Sequence, residues 1–109
     1  MIGYKTEIKS GKREDPQTHE FSDIDVFVIN LESDKIDQGK LTAIVATVYP
    51  EIVKTLKGKD MIGFVVEAES FRLKTQVKKE DSSLKKITKG VLREYVSIVE
   101  IGSLMKREK

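Results

Sequence analysis

Along the first eight residues, Ile2, Tyr4, Thr6 and Ile8 fall on one parity and Lys5 and Glu7 on the other, the pattern of a strand with one wet face. The polar stretch from Ser10 to Pro16, which holds both Gly11 and Pro16, reads as an exposed loop. A second strand is predicted over Ile24–Leu31, where Val26 and Val28 alternate with Phe27 and Ile29, so both faces are largely apolar and the strand is central. Polar residues lead on to Leu41–Tyr49, whose β-branched Thr42, Ile44, Val45, Thr47 and Val48 predict a third strand. Pro50 stops that strand and opens a helix of about two turns, Pro50–Gly58. Glu51 suits its N-terminal dipole, lysines its last turn and Gly58 its C-terminal cap. The fourth strand, Met61 to Ala68, continues as Phe71–Val77 through a bulge near Glu69-Ser70. The bulge is required because Ile62, Phe64, Val66 and Ala68 share one parity while Phe71, Leu73 and Thr75 share the other. Residues 76–90 form a flexible, lysine-rich loop, Val91–Leu104 the last long strand, and Lys106–Lys109 a frayed basic tail.

At 109 residues the chain has room for one core, so a single domain spanning residues 1–109 is expected. Three strands, a short helix and two more strands describe an all-β domain. The sheet hides its edges by curling into a five-stranded barrel of the oligonucleotide/oligosaccharide-binding type, with the helix between strands three and four. The runs Leu41–Tyr49, Pro50–Asp60, Met61–Ala68 and Gly90–Leu104 carry a likeness in spacing. Over residues 41–104 the chain resembles bacterial single-stranded DNA-binding proteins, in which a strand ending in an aromatic runs into a short helix closed by Lys-Gly. The last strand of that family opens with a basic and an aromatic residue. The resemblance implies a base-stacking role for Tyr49 and sets Arg93 and Tyr95 at the start of the last strand.

Charge adds to this picture. The net charge is only +2, but from Phe71 to Lys109 there are 11 Lys and Arg against 5 Asp and Glu, so an acidic front precedes a basic back. Such a cationic strip is the usual footprint of a polyanion partner. Single strands are held by phosphate-tracking cations together with exposed rings on which bases stack. Phe71 beside Arg72 and Lys74, and Arg93 sharing a parity with Tyr95, put a ring and cations close together, while Lys78, Lys79, Lys85, Lys86 and Lys89 form a basic flap. The candidate nucleic-acid-binding residues are therefore Tyr49, Phe71, Arg72, Lys74, Lys78, Lys79, Arg93 and Tyr95.

Catalytic and metal chemistry finds little support. There is no cysteine, which removes disulfides, thiolate zinc sites and cysteine nucleophiles and suits a reducing, cytoplasmic setting. His19 is the sole histidine, and Glu20, Asp23 and Asp25 match no known calcium or magnesium loop. No Walker motif or nucleophile elbow occurs, and Glu67 and Glu69, though paired in parity, have nothing beside them to bind a substrate. The expectation is a non-enzymatic, sequence-tolerant binder of single-stranded DNA, with RNA as a variant and no cofactor, metal or membrane. Long apolar strands leave an edge that could pair between copies. The alternative is a protein-interaction or assembly module of a mobile element or phage.

Overall fold

The computed structural model describes the backbone of residues 3–107 and the side chains of residues 3–97. Its elements are β1 (Tyr4–Glu14), β2 (Phe21–Leu31), α1 (Gln38–Leu56), β3 (Met61–Glu67), β4 (Arg72–Lys78), a 3-10 turn (Lys79–Asp81) and α2 (Leu84–Arg107). The strands form one sheet in the order β1-β2-β3-β4, with β2 and β3 parallel and the outer pairs antiparallel. This is an open mixed α/β sheet with two helices, which corrects the expectation of an all-β five-stranded barrel. Two of the expected strands are helices, and both sheet edges, β1 and β4, stay open.

The largest correction is α1. Its apolar residues Leu41, Ile44, Val45, Val48, Ile52 and Leu56 recur at helical spacing and are all buried. Each such burial is worth about 1.5–3 kcal/mol, which outweighs the few tenths by which β-branched residues disfavour a helix. Asp37 starts the helix by accepting the Lys40 N–H at 2.8 Å. The Thr42, Thr47 and Thr55 hydroxyls donate to the carbonyls of Gln38, Ala43 and Glu51, so these threonines are satisfied inside the helix. Pro50 does not open a helix but lies within one, on its exposed side, where it offers no N–H to the Ala46 carbonyl. The helix ends at Leu56; two residues on, Gly58 has a φ of 78°, the left-handed conformation that glycine adopts freely, and the Lys59 N–H returns to the Leu56 carbonyl at 2.8 Å.

The second correction is α2, where a loop and a strand were expected. The Ser83 carbonyl accepts the Lys86 and Ile87 N–H groups at 3.1 and 3.2 Å and opens the helix inside the lysine-rich segment. Leu84, Ile87, Val91 and Tyr95 then follow at intervals of three or four and pack on the core. The helical backbone takes in Lys106 and Arg107, while residues 108 and 109 of the expected tail, like Ile2 of the first strand, lie outside the described residues. The bulge expected near Glu69 is a chain reversal: Ala68 N–H bonds the Phe71 carbonyl at 3.0 Å, and β4 returns antiparallel along β3. The expected loop at residues 10–16 is largely strand. Its turn is built by Asp15, whose Oδ1 accepts the Gln17 and Thr18 N–H groups while His19 takes a positive φ of 58°.

Both helices cover one face of the sheet. There, Phe27, Ile29 and Leu31 of β2, Ile62, Phe64 and Val66 of β3, and Leu73 and Val77 of β4 join the helix residues in one cluster. Among the described residues the opposite face carries no helix. Val28 and Val65 lie buried at its centre, opposite Glu7 and Lys74 on the outer strands, whose stems shade them. Val26 sits beside Gly11, where an added Cβ would come within 2.5 Å of its Cγ2, so only glycine lets the hairpin pass this close.

Ile52→Ala is expected to cost about 2–5 kcal/mol in denaturant unfolding, whereas Val53→Ala, one residue on but exposed, should stay within about 0.5 kcal/mol. Asp15 is held below the usual carboxylate range by the Gln17 and Thr18 N–H groups, and Asp34 by the N–H and hydroxyl of Ser70. Both carboxylates therefore stabilise the fold above their ordinary pKa, and this contribution disappears as pH falls through their lowered folded values. A stability-against-pH series should show a shallower acid limb for Asp15→Asn/Asp34→Asn than for the native chain.

Candidate nucleic-acid interface

The rings and the cations expected to act together are separated by the fold. Tyr49 lies on α1, half-buried against the core, and its hydroxyl donates to the Ser82 carbonyl at 2.7 Å. Tyr95 lies on α2, also half-buried, and its hydroxyl donates to the Ile36 carbonyl. Phe71 packs on the core from the β3–β4 turn. The tyrosines are struts: one ties α1 to the segment entering α2, and the other ties α2 to the loop before α1. Their expected place on a common strand face does not exist, because residues 41–49 and 91–97 are helical.

The cations remain at the surface. Arg72, Lys74 and Lys78 alternate along β4 on the helix-free face, with Gln76 between them, and all are exposed. Lys79 follows in the 3-10 turn, and Lys85, Lys86, Lys89 and Arg93 project from the first turns of α2, which packs beside β4. Gln76 joins two depressions across this edge. One, of about 570 Å³ on the open face, includes Arg72 and Lys74; the other, of about 270 Å³ between β4 and α2, includes Lys86, Lys89 and Arg93.

Ion pairing decides which cations are available. In the front half, Lys9 pairs with Glu7 at 3.0 Å, Lys12 with Asp23 at 3.0 Å and Lys59 with Asp25 at 3.1 Å. Lys9, with help from the Asn30 amide, holds Glu7 below its usual pKa and so keeps that pair charged. Along β4 and α2, Arg72 is drawn to Glu67 at 3.3 Å and Lys86 to Asp81 at 3.6 Å. Lys74, Lys78, Lys79, Lys85, Lys89 and Arg93 have no carboxylate within 4.0 Å among the described residues. Lys5, Arg13, Lys35, Lys40, Lys54 and Lys57 of the front half also lack such a partner, so what sets this edge apart is its composition, eight cations against three carboxylates between Phe71 and Ser97.

The structure brings together Arg72, Lys74, Lys78, Lys79 and Arg93 of the expected site and removes Tyr49, Phe71 and Tyr95 from it. Lys85, Lys86 and Lys89, expected in a mobile flap, are fixed in helical register. Gln76 carries no charge or ring that marks it in the sequence; only its place on the edge strand does. The one strongly exposed aromatic among the described residues is Phe21, at the far end of β2. His19 is exposed with Nδ1 3.1 Å from Glu14, and no group of three or more metal-ligating side chains gathers among the described residues. No family model, curated protein or solved structure matches the chain.

Tyr49→Phe and Tyr95→Phe should each lower stability by about 0.5–1.5 kcal/mol through loss of one hydrogen bond. In a parallel titration with labelled oligothymidylate both variants should match the native affinity, as struts and unlike stacking platforms.

Proposed function

We propose that the chain is a non-catalytic, sequence-tolerant nucleic-acid-binding module that holds a single strand by its phosphates along the β4–α2 edge. The observation that carries this reading is the row of unpaired cations from three consecutive elements, Lys74 and Lys78, then Lys79, then Lys85, Lys89 and Arg93. A flexible single strand can follow this edge from the open sheet face round to α2. With no ring offered for stacking, affinity comes from phosphate contacts and counterion release, so it carries no base preference. DNA and RNA should bind alike, since nothing in such a grip addresses the 2′-hydroxyl. A cytoplasmic setting goes with this reading and with the absence of cysteine. No helix among the described residues is long and apolar enough to cross a membrane.

Fluorescence anisotropy with labelled oligothymidylate at two ionic strengths tests the reading. Six contacts on a single strand predict a log–log salt slope of roughly −4, and the triple charge reversal Lys74→Glu/Lys78→Glu/Arg93→Glu should abolish binding at low salt. Absence of binding by the native chain at low salt, or an unaffected triple variant, refutes it. A second reading, an assembly module that binds protein, is favoured by the inward-turned tyrosines and by Ile8 and Phe21, which stand 58% and 65% exposed on the β1–β2 hairpin. A raised 260/280 absorbance ratio in the purified protein supports the first reading; a stable polypeptide partner in nuclease-treated lysate supports the second.

A further inference from the structure

On the helical side of the molecule, away from the open sheet face, α1 and α2 enclose a groove of about 970 Å³. Its floor is apolar, formed by Ala46 of α1 and by Leu84, Leu92 and Val96 of α2. Thr42 and Ala46 are small and one helical turn apart, so α1 presents a low wall that a third backbone can approach closely. The other rim is Lys85, Lys89 and Arg93, at steps of four residues and so about 6 Å apart along the helix axis. Among the described residues no carboxylate lines the groove, and none of the three cations has a partner.

One unsatisfied polar group belongs to the same groove. Thr88, which also lines the groove, has a buried hydroxyl without a hydrogen-bond partner, whereas Thr42, Thr47 and Thr55 all donate within their helix. An apolar floor, a low wall and a cationic rim at helical spacing form the complement of one kind of surface. That surface is a helix with an apolar stripe bordered by carboxylates at matching four-residue steps.

We infer that the α1–α2 groove docks an acidic amphipathic helix of a partner protein, which packs its apolar stripe between the helices and sets its carboxylates against Lys85, Lys89 and Arg93. A second copy of this chain is a poorer occupant, because the described half of α2 would bring its own lysines against this rim. The inference goes beyond the nucleic-acid reading and is separable from it, since phosphate binding needs the cations but not the apolar floor.

The test uses the full chain and a labelled model peptide of about 18 residues, long enough to hold a helix, with leucines on one stripe and glutamates flanking it. A control peptide carries lysine in place of glutamate. The acidic peptide should bind saturably and the basic one should not. Ala46→Leu, an exposed change that fills the floor with another good helix former, should weaken peptide binding by about tenfold while oligothymidylate affinity is unchanged. Lys89→Glu should weaken the peptide by a similar factor, with thermal melts confirming that both variants fold. Equal binding of the two peptides, or native affinity in Ala46→Leu, overturns the inference. So does sedimentation showing that the native chain self-associates through this groove and that Ala46→Leu makes it monomeric.

Discussion

Phe27 and Phe64 stack at the centre of the molecule with their ring centroids 6.1 Å apart and their planes within 8°, as register partners of the parallel pair β2–β3. Parallel neighbours cannot be joined by a tight turn; the chain must leave one end of β2 and return to the opposite end of β3. The connecting segment has to cross the sheet, and the lowest-energy way to do so is as a helix that lays its apolar stripe over the two rings. This constraint makes Leu41–Leu56 a helix despite its β-branched residues and Pro50. It then brings β4 in as an edge strand and leaves α2 to cover what remains of the same face.

The arrangement of functional groups follows from that constraint. A helix through Tyr49 and another through Tyr95 turn both rings partly into the core, where their hydroxyls find the carbonyls of Ser82 and Ile36. The cations of β4 and α2 are then the ones pushed to the surface, because each shares its element with a buried apolar stripe and must occupy the other side. Carboxylates outnumber cations in the front half of the sequence, and the excess of positive charge falls on the β4–α2 edge. The groove between the helices arises from the same packing, since Thr42 and Ala46 are too small to close it.

Strands β2 and β3 are legible in the sequence because a short apolar run bounded by polar residues has few ways to be buried. Gly58 is legible as a helix stop because its left-handed backbone is a local requirement. The helix before it is not, because Leu41, Ile44, Val45 and Val48 satisfy a helical stripe as readily as their β-branched neighbours suggest a strand, and only the partner surface decides. Pro50 adds to the ambiguity: it is favoured at a helix start, and it is tolerated mid-helix only where tertiary burial offsets a cost of about 3 kcal/mol. In α2, Leu92 and Val96 directly follow Val91 and Tyr95, so both parities carry apolar residues and imitate a strand buried on both faces. The basic residues of the site could be read from composition; the loss of its two tyrosines followed from the mistaken strands that carried them, whereas Phe71 stands beside a correctly expected strand and packs on the core.

The central claim is that residues 41–56 and 84–97 are helices packed over a parallel β2–β3 pair, and backbone chemical shifts with cross-strand NOEs measure it most directly. The account predicts uninterrupted helical 13Cα shifts through Pro50 and from Leu84 past Tyr95, with NOEs that pair Val28 with Val65 in parallel register. Extended shifts over 41–49 and 91–97, with a break at Pro50, would contradict it and return both tyrosines to a strand face.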